Sequence, residues 1–340
     1  MLRRLIERGW YRPGTPPLPL RVLSCLFAGL AALRRALYRR GLLRSERLPV
    51  PVLVIGNLSV GGAGKTPLAI AVATWLRANG WNPGVVSRGY GRRNDDARVV
   101  RPDDSAADVG DEPLEIAASS VPVAVAPRRA DAGRLLLEAH GCDVLIADDG
   151  LQHYALARDV EVLVIDGRRG LGNGQLLPAG PLREPERRAQ RCDFVVVNGG
   201  PLPAGAHGAS LAVGAVPMRL EIDHVLPLSG GDPLPLEHFA GSRVHAVAGI
   251  GDPPRFFAAL RSAGLVVEEH AFPDHHEYRA HELAFAEPLP VLMTAKDATK
   301  CRAFAQPHWY SVPVTAILPE EFLAGLQARL RAARTRHGAA

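Results

Sequence analysis

Residues 50–66 read VPVLVIGNLSVGGAGKT, a set of residue types able to hold and polarise a polyphosphate. The β-branched run at 52–55 suits a buried parallel strand. From Pro67 to Leu76 the pattern turns helical. Between the two, Ser59, Val60, Gly61, Gly62, Ala63 and Gly64 make a turn whose glycines let backbone N–H groups converge. The helix N-terminus adds its positive dipole end at the same point. Lys65 is placed to reach the terminal phosphates of a nucleotide and Thr66 to sit on Mg²⁺. Ser59 stands where the general phosphate-loop motif has its first glycine, and a ligand-free glycine turn is the plainer reading. A GKT between a strand and a helix is nevertheless hard to reach by chance.

A second stretch supports the first. Residues 143–153, DVLIADDGLQH, form an apolar strand ending in Asp148 and Asp149. Paired acids at such a strand end hold Mg²⁺ directly or through water in phosphate-loop enzymes. Two further loops have arginines or carboxylates at strand or helix ends. Arg88 and Tyr90 lie in RGYGRR, a basic loop suited to phosphate or simply to solvent. Asp111 and Glu112 open a helical stretch, where acids ordinarily complement the helix dipole. The Gly- and Pro-rich run at 170–185 is long enough for a functional ordered loop. The histidines between 270 and 281 fit neither HExxH nor a zinc-finger spacing, so a histidine of that strand-end loop reads better as an acid/base or orienting group than as a metal ligand.

The elements that must position these residues alternate strand and helix from 50 to 198. That alternation implies a P-loop NTPase-like, doubly wound, mainly parallel α/β sheet. Residues 218–228 read as an extended connector. A second, smaller α/β unit begins with the run RVHAVAGIG at 243–251 and a helix at 254–262, followed by strands at 266–272 and 290–294, the last ending in Ala295-Lys296-Asp297, and a closing helix at 319–335. The expected division is an N-terminal helical segment at 1–45, a kinase-like domain at 46–225 and a C-terminal α/β domain at 226–340.

Composition narrows the classes. With 340 residues, 47% hydrophobic and 22% charged, the chain is globular, with ample core. Its net charge of +5 is concentrated: residues 1–47 contain eleven Arg against Glu7 and Glu46, or +9, leaving −4 for the rest. Cys25, Cys142, Cys192 and Cys301 have no CxxC pairing, which argues against structural zinc and disulfides. The apolar stretch at 22–33 is too short to span a bilayer, yet it is followed by Arg34, Arg35, Arg39 and Arg40. Such a helix is expected to lie in the headgroup region of an anionic membrane. An amphipathic helix packed on its own domain and a cleaved signal peptide are the alternatives.

Taken in order, VIGNLSVGGAGKTP, SRGYGR, GDEP, ADDGLQH, LLPAGPLREP, AGIGDPPRFF, FPDHHEY and TAKDATKC resemble the tetraacyldisaccharide 4′-kinases, the lipid A 4′-kinases of Gram-negative bacteria. The resemblance implies transfer of the γ-phosphate of ATP, with Mg²⁺, to the 4′-hydroxyl of a tetraacylated disaccharide 1-phosphate. It implies attachment to the cytoplasmic face of the inner membrane by the N-terminal helix. By the same resemblance Asp111 is the base, His275 supports it, and Arg88, Tyr90, Glu112, Gln152, His153, Arg183 and Glu184 line the site. Domain closure would then assemble Asp111 with His275. The competing reading is a membrane-docking P-loop switch or partitioning ATPase acting on a protein partner. It leaves the Asp-His loop and the PAGPLREP loop without a role. Lys296-Asp297 lacks the spacing of a guanine reader, and leucines interleaved with arginines suit lipid better than nucleic acid. No obligate protein partner is expected.

Overall fold

A computed structural model describes residues 9–11 and 14–338. Arg3, Arg4, Arg8 and Arg12, part of the basic N-terminal segment, lie outside the described residues. In chain order the helices are α1 Leu18–Arg39, α2 Lys65–Ala78, α3 Ala106–Val109, α4 Asp111–Ala118, α5 Arg129–His140, α6 Pro253–Ser262, α7 Ala295–Cys301 and α8 Glu320–Gly338. The strands are β1 Val52–Gly56, β2 Pro83–Ser87, β3 Arg98–Val99, β4 Val123–Val125, β5 Val144–Ala147, β6 Val160–Asp166, β7 Phe194–Asn198, β8 Val216–Glu221, β9 His224–Pro227, β10 Leu234–Pro235, β11 Arg243–Ala248, β12 Val266–Ala271, β13 Val291–Thr294, β14 Trp309–Val312 and β15 Thr315–Ile317.

Nine strands form the larger sheet in the order β15-β8-β7-β6-β1-β5-β2-β4-β3. Pairing is parallel from β8 through β4, and antiparallel only at the two edges. The central strand explains the layering. Leu53 and Ile55 of β1 face a core built with Leu68, Val72 and Leu76 of α2 and Leu326 and Leu330 of α8. Val52 and Val54 face the opposite core with Leu136 of α5. Both faces of β1 are therefore dry, which is why its sequence is continuously apolar rather than alternating. Each fully buried Leu or Val contributes about 1.5–3 kcal/mol of hydrophobic stabilisation. The loops after β1 and β5 are adjacent at the strands' C-terminal ends, because β1 pairs directly with β5.

The smaller sheet has six strands, ordered β10-β9-β14-β13-β11-β12. It departs from the sequence reading in three places. The extended connector at 218–228 is in fact two strands, β8 in the larger sheet and β9 in the smaller. Ala295-Lys296-Asp297 opens helix α7 instead of ending a strand, because the Thr294 hydroxyl accepts the Asp297 N–H as an N-cap. The expected unit at 226–340 does not keep all its elements: β15 pairs with β8, and α8 buries Phe322, Leu326 and Leu330 in the core of the larger sheet. An apolar stripe at helical spacing marks a buried face but not which sheet covers it.

Candidate active site

The phosphate loop leaves β1 through Asn57, which is fully buried, and enters α2 at Gly64. Side chains take up its carbonyls. Asn57 Nδ2 donates to Gly61 O (3.1 Å), Arg169 donates to Gly62 O, and Asn198 Nδ2 donates to Ala63 O (3.0 Å). With those carbonyls tied back, the first-turn N–H groups of α2, which have no intrahelical acceptor, remain for an anion. Gly64 is the position that only glycine fits. Its φ is +90°, and a Cβ there would stand 2.5 Å from Asn198 Nδ2. Ser59 bridges to Leu182, and Val60 N–H donates to Pro181 O at 2.9 Å. The long loop at 170–185 is thus strapped against the phosphate loop.

The paired acids are not equivalent. Asp149, in the left-handed region at φ +47°, is forked by Arg183, whose Nη1 and Nη2 donate to its two carboxylate oxygens at 3.0 and 2.8 Å. Lys65 Nζ lies 3.6 Å from the same carboxylate. Burial pushes Asp149 up, but Lys65 and the Arg183 fork outweigh it and hold the carboxyl well below the usual range. Asp148, 4% exposed, accepts from Thr66 Oγ1 at 3.3 Å and from Asp149 N–H at 3.0 Å. Burial pushes it up to about 6, with Asp149 and Glu112 adding to the rise against the pull of Lys65. Buried Arg129 ties the turn by donating to both acids' carbonyls at 3.0 Å. Beside Arg183, Gln152 donates to Asn57 O (3.1 Å) and to Glu184 (3.2 Å), and Tyr154 donates to Glu184. The His153 ring is pushed down to about 3 by burial and neighbouring arginines, so it is neutral near pH 7.

A second cluster joins the two sheets. Helix α4 starts at Asp111 after Gly110, whose φ of +93° turns the chain beside the Gly89-Tyr90 backbone. His275 Nδ1 meets Asp111 Oδ2 at 2.8 Å, and Tyr90 lies 6.0 Å from the His275 ring centre to centre. From α7 come two lysines: Lys300 Nζ lies 3.0 Å from Asp111, and Lys296 Nζ lies 3.6 Å from Glu112 and 2.9 Å from Asp274. Burial works against ionisation of Asp111, but His275 and Lys300 prevail and lower it below the ordinary carboxylate value. Its hydrogen bond to Asp111 raises His275. His275 sits at φ +61°. Of the three non-glycine residues with positive φ among those described, Asp149 and His275 are in this region, and such strain collects at functional sites. The pair that closure was expected to assemble is already in contact.

Helix α1 lies across this region. Ser24 Oγ donates to Leu176 O (2.8 Å), Arg34 donates to Gln152 O (3.1 Å), and Arg35 is 3.5 Å from Glu184. Its other face exposes Leu18, Val22, Leu26, Leu30 and Leu33, each more than half accessible. No described helix is long and apolar enough to cross a membrane.

The structure therefore gathers Ser59–Thr66, Asp148, Asp149, Gln152, Arg183 and Glu184 in one cluster, and Asp111, Glu112, Tyr90 and His275 in the next. Arg88 stays exposed, felt by Arg129 and His153 as a nearby positive charge. Lys296, Lys300, Asn57, Asn198, Arg129 and Arg169 are the polar groups that the sequence reading did not place. Lys296 and Lys300 are four apart, so a helix over TAKDATKC was the signal that would have put both on one face.

Comparison with known proteins fits this arrangement. Residues 17–331 match the family model for tetraacyldisaccharide-1-P 4′-kinase. The tetraacyldisaccharide 4′-kinase of Stenotrophomonas maltophilia is 52% identical over 323 residues, covering 94% of this chain and 95% of that one. Its counterpart from Xanthomonas euvesicatoria is 54% identical over 336 residues, covering 97% and 96%. The crystal structure of Aquifex aeolicus LpxK in complex with ATP superposes with a TM-score of 0.76 at 29% identity, over 97% of this chain and 99% of that one.

Proposed function

The chain belongs to the tetraacyldisaccharide-1-phosphate 4′-kinase family, and from that premise we propose that it transfers the γ-phosphate of ATP to the 4′-hydroxyl of a tetraacylated disaccharide 1-phosphate. One observation carries the reading: a phosphate loop with its acid pair stands beside a carboxylate–imidazole pair contributed from both sheets. A switch ATPase needs the first cluster only. A kinase acting on a sugar hydroxyl needs both, because that nucleophile must lose its proton as it attacks.

In this reading the residues from Ser59 to Thr66 bind the ATP phosphates, with Lys65 on the β- and γ-phosphates. Asp111 accepts the proton of the sugar hydroxyl, and His275 is its partner. Lys296 and Lys300 hold the base in place and offset anionic charge near the acceptor. Arg183 orients Asp149. The donor set fits Mg²⁺: the Thr66 hydroxyl and a buried carboxyl raised to about 6 face each other, and among the described residues no side-chain cation is ion-paired to Asp148. Thr66 and Asp148, with Asp149 beside them, would hold the ion, which when bound neutralises phosphate charge.

Acyl chains favour the bilayer by about 0.8 kcal/mol per CH₂, so the acceptor is met at a membrane surface. The exposed stripe of α1 is the surface that would meet the bilayer, at the cytoplasmic face of the inner membrane where ATP is available. A charge pair on that stripe, Leu26→Glu with Leu30→Glu, is expected to abolish sedimentation with anionic vesicles while sparing ATP binding. Unchanged sedimentation would remove α1 as the anchor.

The direct test is transfer from γ-labelled ATP into detergent-dispersed tetraacyldisaccharide 1-phosphate. Label is expected in the lipid, falling about 10²–10³-fold in Lys65→Ala, the scale for losing one preorganised charge-stabilising group. Free phosphate without labelled lipid would instead favour the ATPase reading.

A further inference from the structure

The spacing of the histidines after 270 gave no metal signature because one partner comes from another strand. Strands β11 and β12 are parallel, with His245 opposite Glu268 and Val247 opposite His270. Residues 268 and 270 share one face of β12 by the two-residue repeat of a strand, and His245 lies on the same face of its neighbour. The three side chains converge. His245 Nδ1 is 3.0 Å from His270 Nε2 and 3.2 Å from Glu268 Oε2, and all three ligand atoms lie within 4.8 Å of one another.

Proton accounting makes the convergence unusual. His245 Nε2 lies 3.1 Å from the Glu287 carbonyl, which can only accept, so the proton is on Nε2. In the neutral ring Nδ1 is then a lone pair, and it faces a carboxylate oxygen and a second imidazole nitrogen. A proton on His270 Nε2 satisfies His245 Nδ1 but leaves the Glu268 oxygen of these three groups unmatched. A cation satisfies all of them.

The surroundings have the form of an outer ligand shell. An imidazole that donates its far N–H to a backbone carbonyl is the usual arrangement of a metal-bound histidine. The other oxygen of Glu268 accepts from Arg243, which also pairs with Glu287 at 2.9 Å. Phe285 packs against both rings, with centroids 4.1 Å from His245 and 4.0 Å from His270, walling off one side. His245 is buried while Glu268 and His270 are partly exposed, so the cluster is open to solvent on one side. Ligand atoms on a tetrahedron of radius about 2.0–2.1 Å stand about 3.3 Å apart, close to two of the separations seen here.

The geometry points to a divalent transition-metal site of the zinc class at His245, Glu268 and His270, with water in the fourth position. Two imidazoles and one carboxylate are a zinc-type donor set, unlike the all-oxygen set at the phosphate loop. The site pins β12 to β11 a few residues before the loop bearing His275, and so serves the framework and not phosphoryl transfer.

The test uses Co²⁺ as probe on the full chain, with excess Mg²⁺ present to occupy the oxygen-ligand site. A tetrahedral Co²⁺ absorption band saturating at one equivalent and displaced by Zn²⁺ is expected. His270→Gln and Glu268→Gln, both at partly exposed positions, are each expected to weaken Co²⁺ binding about ten- to a hundredfold. His276→Gln, outside the set, is expected to leave the band intact. Zn²⁺ is expected to raise the Tm of the parent protein and not of His270→Gln. Absence of the band, or a band unchanged in both ligand variants, would overturn the site and leave a hydrogen-bonded imidazole pair.

Discussion

Replacing Asp111 by Asn is expected to lower kcat for lipid phosphorylation about 10²–10⁴-fold, the span attributed to general-base catalysis, with little change in ATP affinity. Asn keeps the shape but cannot take a proton, and the phosphate loop is built from other residues. The variant also changes the pH profile in a direction that a merely structural role would not give. In the parent, Asp111 sits below its ordinary pKa and His275 above its own, each because of the other. A hydroxyl proton accepted by the pair comes to rest on His275, so the competent form has Asp111 ionised and His275 neutral. Activity should therefore rise with pH through an apparent value above 6.5, belonging to the pair. In Asp111→Asn the carboxylate that raises His275 is gone while burial and Lys296 still lower it, and the residual limb should move down. Stability runs the other way. A raised histidine stabilises the fold fully below its unfolded pKa, and that contribution is lost as pH climbs through the higher folded value. An Asp111→Asn enzyme with parental kcat, or with an unmoved limb, would remove Asp111 as the base.

Asp148→Asn should separate activity from stability. Its carboxyl is raised from 3.8 to about 6, so the folded state binds the proton more tightly than the unfolded chain. Both forms are protonated below about pH 4, and there the shift has no effect. The penalty builds as pH climbs from about 4 to 6 and is complete above 6, where folding must bear an ionised buried carboxylate at a cost on the order of 3 kcal/mol by pKa linkage. Without Mg²⁺ at pH 8, Asp148→Asn is thus expected to melt higher than the parent. With Mg²⁺ the order reverses, since the ion stabilises only the protein that retains its ligand. The kinase rate should fall by at least 10²-fold, in keeping with loss of several kcal/mol of metal-assisted charge stabilisation. Parental Mg²⁺-dependent activity in the variant would show that the ion is held without Asp148.

The parts of the fold legible in the sequence were those where one physical signal was undiluted. Strands at 52–56, 160–166 and 194–198 lie between two packed layers, so their runs are apolar up to a closing Gly, Asp or Asn, broken only by Glu161, which pairs with Arg188 at 2.6 Å. The GKT and the acid pair could be joined in advance because each ends a strand of one parallel sheet. Beyond that, the site depends on distance in space. Asp111 and His275 are 164 residues apart, and only the family resemblance linked them. Lys296 and Lys300 were hidden by a strand that turns into a helix through the Thr294 cap. Asn57 and Asn198 act by tying loop carbonyls, a role with no periodicity to read.

One feature of the chain path bears on how the two clusters come to face each other. Strand β8 continues into β9, and β14 into β15, while β8 pairs with β15 and β9 with β14. A single antiparallel ribbon therefore runs from one sheet into the other, interrupted only at Ile222-Asp223 and Pro313-Val314. Two strands side by side behave as a strap hinge, not a tether: they permit flexing about one line and resist twist and sliding. Pro313 stiffens the crossing further by fixing its own φ. Any swing of the smaller sheet would then carry His275 along one arc and return it to the same place over Asp111. The entropy of finding that alignment is settled when the chain folds, before a substrate arrives.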